Sequence, residues 1–183
     1  MGIRSVWIAL AACAVAVIVS MDAHAAEFRA FYIDAWGAGI RSKSEVQALL
    51  GTVGSSTSRG AIREANCNAV VVQVRRRADV CYPSAKGEPY YTGLSPSNYN
   101  ALADIIAAAH DTTGGKQRIE VHCWIATLPV TSTSSPPANS IYYQHDDPSD
   151  SANYWITRDS SGAEGDEKFF DPGHPRCLQY LLS

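Results

Sequence analysis

Residues Ala69–Asp79 read AVVVQVRRRAD, and the fold turns on how that stretch is interpreted. Ala69–Val74 is an apolar, β-branched run of the composition that buried strands favour. Arg75, Arg76 and Arg77 follow at once, so the strand's end lies at a boundary between core and solvent. Side chains alternate along a strand, which puts Val71, Gln73, Arg75 and Arg77 on one face and Val70, Val72, Val74 and Arg76 on the other. The second face is apolar up to Val74, as expected beneath a helix layer, and Arg76 is expected to face solvent or a helix. The first face turns polar towards its C-terminal end.

Working outward, EFRAFYIDAW (Glu27–Trp36) reads as an earlier strand, with Gly37 and Gly39 marking the loop after it. SKSEVQALL opens a helix with Ser42 or Ser44 as N-cap, and GTVGSSTSRG then breaks the helix or inserts a loop before AIREANCN. A Pro- and Gly-containing loop runs from Tyr82 to Pro96. SNYNALADIIAAAHD is an amphipathic helix with Leu102, Ile105, Ile106 and Ala109 on one face, stopped by Gly114 and Gly115. RIEVHCWIATLPV is the third strand, Thr131–Gly173 is loop-rich, and a final helix starts around His174. Strands alternating with helical spacers imply a parallel sheet with right-handed crossovers. In the third strand Val121, Cys123 and Ile125 form an apolar face, while His122, Trp124 and Ala126 point the other way. A Gln, an Arg, a His and a Trp on one side of neighbouring parallel strands are costly in a sealed core. They suit a barrel whose C-terminal mouth is a binding site.

The 183 residues carry a formal net charge of -3, with 46% hydrophobic and 18% charged residues, which is an ordinary globular composition. Three arginines in a slightly acidic chain do not make the wide basic face that nucleic acid requires. At the N-terminus, Arg4 precedes the apolar run VWIALAACAVAVIVS, and Ala23-His24-Ala25 forms an A-x-A cleavage site. Residues 1–25 therefore read as a signal peptide, with the mature chain starting near Ala26 and no stable membrane span after cleavage. A transmembrane anchor fits less well, since the run is shorter than the roughly 20 residues a bilayer needs. LAAC (Leu10–Cys13) also resembles a lipoprotein box, with Cys13 as the acylated residue. Both the signal-peptide and the lipoprotein readings export the chain to the periplasm or beyond. Cys67, Cys81, Cys123 and Cys177 remain, without a C-x-x-C pair to suggest zinc. Cys67 and Cys123 read as small buried apolar residues. The strand between Cys67 and Cys81 separates them beyond the roughly 7 Å a disulfide spans, which leaves Cys81 with Cys177 as the one pairing to entertain.

Five blocks, EFRAFYIDAW, NAVVVQVRRRAD, IEVHCWIATLPV, WITRDSSG and FFDPGHPRCLQYLLS, resemble the glycosyl-hydrolase-like 10 family of bacterial secreted proteins in order and approximate spacing. The resemblance implies a (β/α)8 glycoside hydrolase with a carbohydrate bound across the C-terminal strand ends, and cell-wall glycan as a plausible substrate. It also implies a fourth strand with a D-G-[IV]-x-x-D-Y type acidic motif, which Ser183 precedes. A complete barrel usually needs about 250 residues. The expected class is therefore α/β, the N-terminal part of an incomplete (β/α)8 TIM barrel with about three βα units, over residues 26–183.

The candidate substrate-binding residues are Asp34, Gln73, Arg75, Arg77, His122, Trp124, Asp171 and His174. Asp34 is a sugar-binding or catalytic carboxylate, or else a loop cap or arginine partner; glycosidases use two carboxyl groups and Asp34 lacks an evident second. Arg75 and Arg77 offer donor forks for carboxylate, carbonyl or hydroxyl groups, or form buried ion pairs with Asp34 or Asp79. His122 and Trp124 make a plausible sugar pair of hydrogen bonding and stacking, with core filling as the alternative for Trp124. Asp171 and His174 stand at the entrance to the last helix, which Asp171 could cap. The acidic run HDDPSD reads as a solvated loop. No cofactor or metal is expected; a metal-dependent deacetylase is disfavoured because Asp34, His122 and His174 match no ligand motif. A non-catalytic carbohydrate-binding protein is the rival to the hydrolase.

Overall fold

The computed structural model describes residues 27–133 and 135–183, so the leader reading and Cys13 lie outside the described residues. Three parallel strands, β1 (Ala30–Ile33), β2 (Ala69–Arg75) and β3 (Glu120–Ile125), lie side by side in that order. Helices α1 (Lys43–Leu50) and α2 (Ala61–Glu64) join β1 to β2, and α3 (Ala101–His110) joins β2 to β3. The βαβ alternation expected from sequence is therefore present, with β2 central because both of its faces are largely apolar.

Register fixes the faces. Ile33 pairs with Val72, and Val72 with Cys123; Val71 pairs with His122 and Gln73 with Trp124. Val70, Val72 and Val74 pack against Val46, Leu50, Ile62, Ile105 and Ala109 of the helices, and all are buried. Across the sheet, Tyr32, His122 and Trp124 stay exposed, so among the described residues helices cover one face only. Cys123 and Ile125 do not obey the apolar reading of β3: both are exposed, because β3 is an edge strand with nothing packed on its outer side among the described residues. Ile106 is likewise 39% exposed at that margin.

Ser42 is the N-cap of α1, accepting from the Glu45 amide, while Glu45 Oε2 accepts the amides of Gly39 and Arg41 at 2.9 and 2.8 Å. The Gly/Ser interruption is a closed loop whose ends touch. A Cβ on Gly60 would meet the Gly51 nitrogen at 2.3 Å, and one on Gly51 would meet the Ser58 carbonyl at 2.4 Å, so only glycine allows that approach.

Arg63 sits where three segments end. It is 5% exposed and donates to the carbonyls of Leu50 and Arg59, to those of Ala108 and Ala109 in the last turn of α3 and of Asp111 just past it, and to that of Gln117. These carbonyls have no helical partner, and a buried guanidinium satisfies them together. Beside it, fully buried Lys116 bonds Asp111 Oδ2 at 2.6 Å and the Thr52 carbonyl at 3.1 Å.

A second body follows β3. Strand β4 (Pro129–Thr131) pairs antiparallel with β5 (Lys168–Phe169), and helix α4 (Pro175–Leu182) closes it. The stretch read as loop is loop-rich but has its own core, in which Val130, Ile141, Trp155, Ile156, Phe170 and Cys177 are buried. His145 stacks on Trp155 with ring centres 3.5 Å apart. Cys81 belongs to the first core and Cys177 to the second, and all four cysteines of the described chain are free thiols; burial pushes the Cys81 and Cys177 thiols up to about 11. The Cys81–Cys177 pairing is not formed. Among the described residues no helix is long and apolar enough to cross a membrane.

Two outcomes follow. Arg63→Met, which keeps bulk but leaves the carbonyls bare, should cost about 3 kcal/mol or more in urea unfolding. Hydrogen bonds from Lys116, Thr113 and the Gly54 amide hold the Asp111 carboxyl well below the usual range. Its stabilisation is complete above the unfolded pKa of about 4 and is lost as pH falls through the depressed native value. Asp111→Asn should thus flatten the acid limb of a Tm-versus-pH curve.

Candidate functional site at the carboxyl end of the sheet

Strand β2 stops at Arg75, and its register with β3 shifts between Gln73 and Arg75. The alternation that would have carried Arg75 and Arg77 to the Gln73 side is broken there. Residues 76–78 bend, Ala78 adopts φ 53, and the Arg76 amide closes the turn on the Asp79 carbonyl. A left-handed alanine costs roughly 1–2 kcal/mol, which the buried surroundings of Ala78 impose.

Arg76 faces neither solvent nor a helix, the two settings that alternation allowed it. It is 5% exposed, donating to Asp79 Oδ2 at 2.8 Å, the Ala35 carbonyl at 3.1 Å and Thr92 Oγ1 at 3.0 Å. Its guanidinium carbon lies 4.3 Å from the Trp36 ring centre and 4.6 Å from that of Tyr91. Burial pushes the Asp79 carboxyl up, with Arg76 pulling it the other way. The Arg77 guanidinium also lies 4.3 Å from the Trp36 ring centre, so one indole carries two cations.

Asp34 makes this possible by holding the loop after β1. Its Oδ1 accepts the amides of Trp36 and Gly37 at 2.7 and 2.8 Å, and these bonds lower its carboxyl below the usual range. Asp34 is the loop cap that presents Trp36. Gln73 acts similarly from inside: it is 4% exposed, and its Oε1 accepts the Ala35 amide at 3.1 Å.

Trp36, Arg76, Arg77 and Asp79 form one wall of a cleft of about 290 Å³, and Thr131, Thr133, Asn139 and Ser140 form part of the other. It opens at the carboxyl ends of β1 and β2, where parallel α/β sheets bind their ligands.

The remaining candidates lie elsewhere. Arg75 is 5% exposed, paired with Glu88 at 2.7 Å, and donates to the carbonyls of Ala126 and Thr127; its carboxylate partner is Glu88, not Asp34 or Asp79. His122 and Trp124 stand on the open sheet face, with His122 against Glu120 at 3.2 Å and edge-on to Phe28. His174, not Asp171, is the N-cap of α4, while Asp171 Oδ1 accepts the Gly173 amide at 2.8 Å. Only Arg77 of the eight candidates lines the cleft. Sequence reasoning missed Trp36, Arg76 and Asp79 as a unit. The available signal was an aromatic residue just past the end of β1. Among the described residues no group of three or more His, Cys, Asp or Glu could hold a metal ion.

A parallel α/β sheet with a cleft at its carboxyl edge is the class of protein that fold and site define. The chain belongs to the glycosyl hydrolase-like 10 family, whose sequence profile matches residues 2–183. It is also 27% identical over 125 residues to a Bacillus subtilis (strain 168) protein named glycosyl hydrolase YngK, covering 66% of this chain. The matched region spans 22% of that relative's length.

Removing the Asp79 charge leaves Arg76 buried without a counter-ion. Asp79→Ala should cost about 3 kcal/mol by urea unfolding.

Proposed function

We propose that the cleft beside Trp36 is a carbohydrate site in the N-terminal part of an exported (β/α)8 glycoside hydrolase. One observation carries this reading: an exposed indole, fixed from beneath by Arg76 and from behind by Asp34, faces hydroxyl and amide side chains at the carboxyl edge of a parallel sheet. Trp36 remains part-exposed with both guanidinium groups against its ring, and that exposed apolar surface suits contact with a pyranose while side-chain hydroxyls exchange hydrogen bonds with sugar hydroxyls. The exposed face of Tyr32, His122 and Trp124 is the side that further strands would enclose in a closed barrel. Membership of the glycosyl hydrolase-like family supports a glycosidase-related role. Export rests on the leader pattern of residues 1–25.

Glycosidases by the two-carboxylate route need an acid and a base or nucleophile. Among the described residues Asp79 is the one carboxylate on the cleft wall, and it is engaged with Arg76. The catalytic pair therefore comes from outside the described residues, or the cleft binds glycan without cleaving it. The Asp79–Arg76 pair is the observation that keeps the binding reading.

Titration of the purified protein with oligosaccharides should quench tryptophan emission. Trp36→Ala should lose the quench and weaken binding up to about tenfold, since an aromatic contact contributes on the order of 0.5–1.5 kcal/mol. Release of reducing ends from the same oligosaccharides by the unaltered protein marks the enzyme; binding without release marks the binding protein.

A further inference from the structure

We propose that this cleft takes a glycan bearing free carboxylate groups, and that Arg77 is the residue that reads the carboxylate. The inference rests on the carbohydrate reading above and adds the charge class of the ligand.

Among the described residues three formal charges line the cleft: Arg76, Arg77 and Asp79. Arg76 and Asp79 cancel, because Arg76 Nε contacts both Asp79 oxygens, at 2.8 and 3.0 Å, and both side chains are largely buried. Asp79 Oδ1 also accepts the Arg77 amide at 3.2 Å, which leaves the Arg77 side chain out of the pair. Among the described residues no carboxylate lies within 4.0 Å of the Arg77 guanidinium, and no protein acceptor takes its N–H groups. The wall thus carries one uncompensated positive charge.

That charge is held in place. The Arg77 guanidinium carbon sits over the Trp36 ring, a cation–π contact that uses the charge without using any N–H donor. A half-buried, stacked guanidinium has lost much of its rotamer freedom before any ligand arrives, so little more is lost on binding. A planar carboxylate accepts two parallel N–H bonds from such a fork. Its single negative charge matches the single excess charge of the wall, which the nearly two charges of a phosphate monoester would overshoot. A neutral sugar would instead displace water from Arg77 without replacing its charge partner. Thr131, Thr133, Asn139 and Ser140 on the facing wall are uncharged and suit the ligand's hydroxyls.

The test is calorimetric binding of matched oligosaccharides: cellohexaose against its C6-oxidised form, galactan against galacturonan, and mannan against mannuronan fragments. At low salt the acidic member of the bound pair should bind about tenfold tighter, the range of one charge-assisted hydrogen-bonded contact. Salt at about 0.5 M should shrink that advantage, since part of the cleft faces solvent. Arg77→Gln should erase the advantage, so that the acidic and neutral members of a pair bind alike, and Arg77→Lys should keep only part of it. Equal affinities within every pair, or an acidic preference that survives Arg77→Gln, overturn the carboxylate inference and leave the sugar cleft standing. Failure of all six to bind overturns both it and the carbohydrate reading.

Discussion

The buried ion pair of Arg75 and Glu88 is the contact on which the two halves of the molecule depend. Arg75 is the last residue of β2, and Glu88 lies in the loop that follows. Arg75 also donates to the Ala126 and Thr127 carbonyls beyond β3, while Glu88 Oε1 accepts from Tyr180 of α4 at 2.8 Å and Oε2 from Ser84. One pair therefore ties the sheet's carboxyl edge, the Tyr82–Pro96 loop and the final helix. Lys86 reinforces the link by donating to the Tyr180 carbonyl. Isolated, either charge would be expensive at that depth; together, with Arg75 Nε and Nη1 and both Glu88 oxygens bonded and Arg75 Nη2 left without a partner, they hold one arrangement of the two cores.

The same economy governs the cleft. Arg76 is buried without harm because Asp79, Ala35, Thr92 and two aromatic faces take up its donors and its charge. Its neighbour Arg77, one residue further along a bend, shares only the indole. Adjacent arginines thus differ in kind: the first builds the wall and the second charges it. The left-handed Ala78 is the backbone cost of bringing both to Trp36.

A three-stranded parallel sheet covered by helices on one side leaves apolar groups in water. Tyr32, Trp124 and Ile125 are exposed, as are Leu178 and Leu182 on α4. Apolar surface of that extent suits burial against a further element.

The βαβ order, the helix-facing valines of β2, the Ser42 cap and the polar carboxyl edge were legible in the sequence, because they rest on periodicity and capping, which are local rules. The Gln73, His122 and Trp124 side of the sheet was also legible, since register merely aligns what alternation predicts. Three things were not. The second core around Trp155 and Phe170 was hidden because its residues lie in irregular backbone with no period to detect. The fates of Arg75, Arg76 and Arg77 were hidden because a register shift and a left-handed turn end the alternation where it mattered most. Glu88 as the partner of Arg75 lay 13 residues away in a loop whose path no local rule sets. The sequence by itself determined that three arginines would crowd the end of a buried strand; only the tertiary structure decided which became a strut, which a wall and which stayed free, because burial and counter-charge are properties of neighbours in space.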